Sequence, residues 1–150
     1  MNTLIILCAQ YLIWAIVIAG FVYLVQSPLR KKMVLFAAAA LAASYVVAKV
    51  IGWFWYDPRP FVSDGITPLI AHAANNGFPS DHMLFGATIA SIVFVYNRPL
   101  GIVLWVLALT VGIARILAGV HHTADIVGAA LIAAAAVALV YRFMPRHLRH

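Results

Sequence analysis

The chain has 150 residues, of which 65% are hydrophobic and only 9% are charged, and its formal net charge is +6. A soluble domain is about half apolar and about a quarter charged, so this composition excludes an ordinary soluble domain and indicates an integral membrane protein. The positive charge does not indicate a nucleic-acid partner, because the basic residues mostly flank apolar segments. The single cysteine, Cys8, excludes a disulfide within the chain.

Five apolar segments reach or approach the roughly 20 residues that cross a membrane. We place them at residues 3–25, 33–56, 83–96, 100–120 and 123–143. The first run is too long and lacks the basic start of a cleaved leader, so we interpret it as a retained helix. The third is short unless its helix begins at Ser80 or Asp81, and Ser80 is a good N-cap residue. The predicted fold is all-α, a polytopic transmembrane bundle of five or six helices in one membrane-embedded domain over residues 1–150.

The connections between these segments carry charge unequally. One face holds the turns 26–32 and 97–99, the end of the last segment with Arg142, and the tail 144–150, and so seven of the ten basic residues and none of the four acidic ones. The other face holds the long connection 57–79, in which the apolar stretch 66–74 is predicted to form a short interfacial helix. The positive-inside bias places the first face and the C-terminus in the cytoplasm. We therefore expect a multi-pass protein of the cell membrane whose second face is extracytoplasmic.

Three polar clusters lie at predicted helix ends on that second face. They are Asp57-Pro58-Arg59-Pro60, Pro79-Ser80-Asp81-His82 and Arg115-x5-His121-x3-Asp125. Ionisable groups near lipid are energetically costly, so three ordered clusters on one face indicate one functional site.

The residue types in these clusters are suited to binding phosphate. Arg59 and Arg115 offer forked guanidinium donors that match phosphoryl oxygens. Ser80 begins a helix whose free N–H groups form an anion site, and Lys49 is a candidate third cation.

The third cluster contains the candidate nucleophile. The neutral imidazole of His121 can attack phosphorus to give a phosphohistidine. Asp125 would fix the tautomer of His121 and stabilise the cationic ring, although that geometry is only approximate if the helix begins at Thr123. His82 would protonate the leaving oxygen and later activate water.

A zinc site is the competing interpretation of the same clusters. The possible ligands are His82, His121, His122, Asp81 and Asp125. The neighbouring arginines oppose a divalent cation, and no His-Glu-x-x-His spacing is present. We therefore predict no metal and no other cofactor.

Each polar residue also has a simpler interpretation. His72, His147 and His150 are typical of membrane-interface residues, and His122 is equally explained by local packing. Arg115 alone would be a snorkelling anchor, and Arg59 alone would mark a rigid turn. Their occurrence on one face favours the common site.

The third cluster resembles a motif of the type 2 phosphatidic acid phosphatase superfamily, Ser-Arg-x5-His-x3-Asp. Arg115, His121 and Asp125 match it, with Ala114 where that family often has serine. The resemblance implies a metal-independent phosphatase with a six-helix core.

The other clusters resemble the same family. Residues 79–82 match its Pro-Ser-Gly-His motif with Asp81 in place of glycine. The string 75–82 and the turn 57–61 look like the bacitracin-resistance branch, which acts on undecaprenyl pyrophosphate. The role of Asp81 is left open between orienting Arg59 or His82 and favouring the helix N-terminus.

The family's first motif, Lys-x6-Arg-Pro, is matched with a longer gap. Counting from Lys49 places arginine at position 56, which is Tyr56, and the arginine is instead Arg59. A helix that continued to Tyr56 would leave the lysine roughly 10 Å below the membrane edge. Lys49 then reaches a phosphate only if the helix unwinds early or the site is sunken.

Together these features predict hydrolysis of a polyprenyl pyrophosphate, most simply undecaprenyl pyrophosphate, to its monophosphate. The partners are then the lipid substrate and the surrounding membrane lipids, and the sequence does not specify an oligomeric state. Two alternatives stay open. One is a phosphatase for phosphatidic acid or phosphatidylglycerophosphate, and the other is a non-enzymatic headgroup binder or transporter.

Overall fold

The structure, a computed structural model, describes residues 1–145 and contains seven helices and no β-strand within that range. The helices are α1 (Asn2–Gln10), α2 (Leu12–Gln26), α3 (Arg30–Phe54), α4 (Pro60–Ser63), α5 (Asp81–Tyr96), α6 (Arg98–Leu117) and α7 (Thr123–Phe143). Four tail residues used or weighed in the sequence interpretation lie outside the described residues: Arg146, His147, Arg149 and His150.

Within residues 1–145, four helical stretches are long and apolar enough to cross a membrane: α1 together with α2, then α3, α6 and α7. Helix α5 is apolar but has only 16 residues, which is about 24 Å at 1.5 Å per residue and less than the ~30 Å of a hydrocarbon layer. The prediction of an all-α membrane bundle is confirmed. The predicted start of the third segment at the N-cap Ser80 is confirmed as well.

The first predicted segment, 3–25, is confirmed as one stretch, Asn2–Gln26, that is long and apolar enough to cross a membrane, although α1 ends at Gln10 and α2 begins at Leu12. At Tyr11 the N–H still donates to the carbonyl of Leu7 (2.9 Å), while its carbonyl accepts the N–H of Trp14 across three residues (3.0 Å). Helix α1 packs on α6, where Ala9 is fully buried in the same cluster as Ala114.

Helix α5 lies at the centre of the bundle and packs against α2, α3, α6 and α7. Its inner surface includes Gly86 and Ala90, and small residues let membrane helices approach closely. Helix α6 approaches α5 most closely at Gly101, which lies directly against the backbone of Phe94. This central position brings the N-terminus of α5 into the middle of one end of the bundle.

The predicted interfacial helix at 66–74 is wrong, because this segment has no helical structure. Pro68 interrupts it, and the N–H of Leu69 donates instead to the carbonyl of Ala118 at the end of α6 (2.9 Å). Ile70 is buried in the same cluster as Val120. The apolar residues of the segment therefore cover the end of the bundle.

Helix α3 ends at Phe54, two residues before the predicted 56, in a run of exposed aromatic residues. The run is Trp53, Phe54, Trp55 and Tyr56. Aromatic side chains are enriched at the membrane–water interface, so this run marks where the membrane surface meets the bundle.

Candidate active site

His121 and Asp125 form a buried pair at the start of α7. Nδ1 of His121 lies 3.0 Å from Oδ2 of Asp125, and the two side chains are 2% and 0% exposed. Helix α7 begins at Thr123, but Asp125 occupies the third helical position and its carboxylate reaches back over the first turn. The same Oδ2 accepts the N–H of His122 (2.9 Å). A carboxylate only accepts, so Nδ1 carries the hydrogen and Nε2 keeps its lone pair.

The lone pair of His121 faces the guanidinium group of Arg59, whose Nη1 lies 3.2 Å from Nε2. Arg59 is itself buried and held by carbonyl oxygens: Nε donates to the side chain of Asn75 (2.9 Å) and Nη1 to the backbone of Val120 (2.8 Å). Its Nη2 donates to the carbonyl of Asn76 (3.4 Å). A planar cation therefore stands at the nitrogen from which His121 would react.

Ser80 and Arg115 supply donors that have no partner among residues 1–145. The hydroxyl of Ser80 is buried and unpaired, and so is Nε of Arg115, whose Nη1 donates only to the carbonyl of Ala9 (3.4 Å). The first N–H groups of α5 also lack a carbonyl within their own helix. Buried donors without partners are costly, so this arrangement indicates a place for an anion.

Lys49 reaches the mouth of the site through Asp81. Its Nζ lies 3.4 Å from Oδ1 of Asp81, and both side chains are about half exposed. Lys49 precedes the end of α3 by roughly 7.5 Å at 1.5 Å per residue, so the N-terminus of the short α5 lies at that depth. Lys49 and the first residue of α5 therefore meet below the end of α3, and whether Lys49 reaches a bound phosphate stays a prediction.

A polar pocket of about 300 Å³ opens at this depth. Its lining includes Lys49, Arg59, His72, Asn75 and Asp81. Cations from α3 and the long loop, amide groups of the loop and the carboxylate of Asp81 thus face one cavity, whose lining does not include His121, Arg115 or Ser80.

His82 lies in the first turn of α5, where the charges of Arg115, His121 and Asp81 act on it. Together with Asp81 it also lines an apolar groove of about 300 Å³ between α2 and α5. The rest of that groove is formed by Ile13, Trp14, Val17 and Phe85. His82 therefore stands where the polar site meets a lipid-facing groove.

His72, interpreted from the sequence as a membrane-interface residue, belongs to the site instead. Its ring meets the ring of His121 edge to face, with centroids 6.2 Å apart. Burial, followed by the charge of Arg59, lowers the pKa of His72. No local pattern indicates this position, because it depends on how the irregular segment folds over the bundle.

Asn76 is a second residue whose role the sequence interpretation missed. Its Nδ2 donates to the carbonyls of Gly52 (2.8 Å) and Trp55 (3.0 Å) at the end of α3. Its Oδ1 accepts the N–H groups of Asp57 (2.9 Å) and Phe78 (3.0 Å). The side chain of Asn76 therefore connects the end of α3 to two separate positions, Asp57 and Phe78, of the loop that carries Arg59.

The residues weighed as zinc ligands do not form one group in the described part of the chain. The group of three possible ligand residues found there holds two of them, His122 and Asp125, and its third member is Asp57, with one ligand atom of each within 4.8 Å of the others. The absence of a metal from the reaction stays a prediction.

The arrangement can perform nucleophilic transfer of an anionic group. Burial lowers the pKa of His121, which the hydrogen bond to Asp125 partly opposes, so its ring is neutral and nucleophilic near pH 7. The cationic groups and free N–H donors are suited to the negative charge that spreads over a phosphoryl group during transfer.

Comparison with known proteins gives a consistent result. The profile of the PAP2 superfamily matches residues 33–149. A bacitracin transport permease protein BcrC of Bacillus licheniformis is 28% identical over 97% of this chain and 73% of its own length. The undecaprenyl-diphosphatase BcrC of Bacillus subtilis is 33% identical over 81% of this chain and 63% of its own length. A putative undecaprenyl-diphosphatase YbjG of Escherichia coli is 34% identical over 68% of this chain and 52% of its own length.

Proposed function

The chain belongs to the PAP2 superfamily, and from this premise we propose that it is a membrane lipid phosphatase that hydrolyses a polyprenyl pyrophosphate to the monophosphate. Undecaprenyl pyrophosphate is the proposed substrate, because two of the relatives carry that activity in their names. The whole domain is membrane-embedded, and the reaction takes place on the extracytoplasmic side.

The reaction begins at Nε2 of His121. This nitrogen attacks the terminal phosphorus, the bond from phosphorus to the bridging oxygen breaks, and His82 donates a proton to the leaving lipid monophosphate. Water that has given a proton to His82 then attacks the phosphohistidine, which releases inorganic phosphate and restores the free ring. Asp125 holds the Nδ1 hydrogen throughout and stabilises the cationic ring.

The phosphate is held by the donors that surround His121. The guanidinium groups of Arg59 and Arg115 and the hydroxyl of Ser80 bind its oxygens. Lys49 lies at the mouth of the same pocket, where its ion pair with Asp81 keeps it beside the entering headgroup. Asp81 thus acts as the partner of Lys49, which is one more role than the sequence interpretation considered.

The lipid tail leaves the site along the groove between α2 and α5. Trp14, Val17 and Phe85 line this groove, which begins at His82 and opens toward lipid. When a prenyl chain lies in this groove, its phosphate groups lie at the end marked by His82, so the chain and the headgroup can be bound at the same time.

The observation that carries the proposal is the surrounding of His121. Its side chain is 2% exposed and lies between a carboxylate at Nδ1 and a guanidinium at Nε2, next to buried donors that have no partner in residues 1–145. A protein that only binds a headgroup does not require an oriented imidazole, so this pair favours the enzyme over the binder or transporter.

Phosphate release by purified protein from undecaprenyl pyrophosphate tests the proposal. We expect release to continue in excess chelator, to exceed release from phosphatidic acid, and to fall at least about 10³-fold in His121→Ala, because the nucleophile is lost. His147→Ala, a histidine of the tail to which no role is assigned, is the matched control and should act like the wild type. Release by His121→Ala at the wild-type rate would contradict the assignment. Tight lipid binding without release would instead support the headgroup binder.

A further inference from the structure

Within the described part of the chain, one carboxylate oxygen of Asp125 has no hydrogen-bond partner, and no group assigned to the proposed reaction binds it. Its Oδ2 receives both the ring N–H of His121 and the backbone N–H of His122. Its Oδ1 is buried and has no hydrogen-bond partner among residues 1–145. The side chain is 0% exposed, so water does not compensate this oxygen from the surface. A buried acceptor left alone costs about 1–3 kcal/mol, and more when it is charged.

The carboxyl group of Asp57 lies close to the carboxylate of Asp125. Ligand atoms of Asp57, His122 and Asp125 all lie within 4.8 Å of one another. Two features of the loop hold Asp57 there: the N–H of Gly77 donates to its carbonyl (2.8 Å), and Pro58 pairs with Asn76. Gly77 fits between the two acids because it has no side chain, since a Cβ there would lie 3.0 Å from Oδ2 of Asp125.

Two carboxylates this close do not both stay ionised without a bridging proton or cation. We propose that Asp57 is a positioning residue whose carboxyl group keeps its proton and donates it as a hydrogen bond to Oδ1 of Asp125. That bond fixes the Asp125 carboxylate with Oδ2 toward His121. The inference rests on the proposed function in one respect, which is that His121 is the nucleophile.

The surroundings of Asp57 favour the protonated acid. Burial, and next the charge of Asp125, raise the pKa of Asp57, while His122 acts in the opposite direction. Nδ1 of His122 lies 3.5 Å from Asp57, and its Nε2 lies 3.7 Å from Asp64, so the ring of His122 stands between two acids. Arg59, the nearest fixed cation in sequence, directs its guanidinium toward His121 and the loop carbonyls.

Because the hydrogen bond from Asp57 to Asp125 needs the proton on Asp57, we expect activity to be lost at alkaline pH. When Asp57 loses its proton, the two carboxylates repel each other, Asp125 turns away from His121, and the rate of phosphoryl transfer falls. Asp57→Asn keeps an N–H donor toward Oδ1 but has no proton to lose. Asp57→Ala removes the donor altogether.

The paired variants give the kinetic test. We expect Asp57→Asn to keep kcat within about threefold of the wild type near pH 7 and to extend activity to higher pH. We expect Asp57→Ala to lower kcat about 10- to 100-fold with little change in KM, because a hydrogen bond to a charged group is lost. The controls are Asp64→Asn and Asp64→Ala, which change the exposed acid beside His122 and should not move the alkaline limb.

Infrared spectroscopy of the resting protein gives a test that does not need turnover. The carbonyl band of a protonated carboxylic acid should be present in the wild type and missing in Asp57→Asn. If that band is unchanged in Asp57→Asn, or if Asp57→Asn loses as much activity as Asp57→Ala, the proposal is wrong. Activity that is lost in chelator and restored by Zn²⁺ would also overturn it in favour of a cation held by Asp57, His122 and Asp125. A wild-type protein that shows the band but releases no phosphate would contradict the proposed function and leave the proton assignment standing.

Discussion

The neighbours of His121 determine the protonation state of its imidazole and the orientation of the ring. Asp125 binds the hydrogen on Nδ1, and Arg59 points a cationic N–H at Nε2. A proton at Nε2 would face that cation in a buried place, so the unprotonated ring is the favoured form. When a phosphoryl group enters, the guanidinium of Arg59 gains an anion to bind and Nε2 becomes free to attack.

This balance predicts where activity is lost at acid pH. Burial and then the charges of Arg59 and Arg115 lower the pKa of His121, while the bond to Asp125 raises it, and the net direction is down from 6.5. The reactive form is neutral, so kcat/KM should stay level as pH falls to 6.5 and decline only at lower pH, as the ring takes up a proton.

The pH profile of kcat/KM checks this expectation. The titration of the free lipid phosphate, followed by ³¹P NMR, gives the part of the profile that belongs to the substrate. Asp125→Asn removes a carboxylate that raises the pKa of His121, so its acid limb should lie lower still, on a much reduced rate. If the enzyme's own decline in kcat/KM on the acid side had its midpoint at or above pH 6.5, the surroundings would not be holding the ring neutral.

Some of the site was predictable residue by residue. His121 and Asp125 are four positions apart, and that spacing holds across a helix start because the third helical residue reaches back to the residues before the helix. Arg59 was predicted as a phosphate ligand, but its partners Asn75 and Val120 come from separate parts of the chain. The position of His72 depends on the same long-range contacts, so local patterns gave no sign of it.

At the scale of the elements, the short helix α5 determines the depth of the site. It is buried on most of its surface, and its neighbours approach it through small residues. The tightest approach is at Gly101 of α6, where an added Cβ would lie 2.6 Å from the backbone nitrogen of Phe94. Backbone atoms in two packed helices cannot move aside as the end of a side chain can.

Gly101→Ala should therefore destabilise the bundle. In an exposed helix this change is stabilising by up to about 1 kcal/mol, so a loss of stability identifies the close packing as its cause. We expect a loss of about 1–3 kcal/mol from overpacking, measured as a lower unfolding temperature in detergent. Thr110→Ala, on the exposed side of the same helix, is the control and should change little. Equal or higher stability of Gly101→Ala would show that α5 and α6 are not packed this closely.

The elements were predictable where local sequence decides them. The last helix was predicted at 123–143 and has those bounds, because polar residues border an uninterrupted apolar run. The break between α1 and α2 at Tyr11 was missed, since the apolar run around it contains no proline and Gln10 is the only amide side chain beside it. The segment 66–74 was assigned to a helix because it is apolar. Its apolar residue Ile70 is instead buried against the end of the bundle, without helical structure.

At the scale of the whole molecule, charge divides the bundle into two ends. All four aspartates lie at the end that holds the site, on the long loop and the first turns of α5 and α7. The opposite end, where α3 and α6 begin and α7 finishes, carries the described basic residues outside the site: Arg30, Lys31, Lys32, Arg98 and Arg142. Basic residues are retained in the cytoplasm, so we propose that the site opens on the extracytoplasmic face.

Cysteine labelling of intact cells tests this orientation. In a Cys8→Ala background, Thr67→Cys places a thiol on the exposed loop above the site, and Gln26→Cys places one at the end of α2 on the opposite side. A membrane-impermeant maleimide should label Thr67→Cys in intact cells and Gln26→Cys only after permeabilisation. Each variant serves as the control for the other, because both positions are exposed and differ in the face on which they lie. The reverse pattern would place the site in the cytoplasm. The protein would then act on lipid pyrophosphate of the inner leaflet, and the distribution of basic residues would have a cause other than topology.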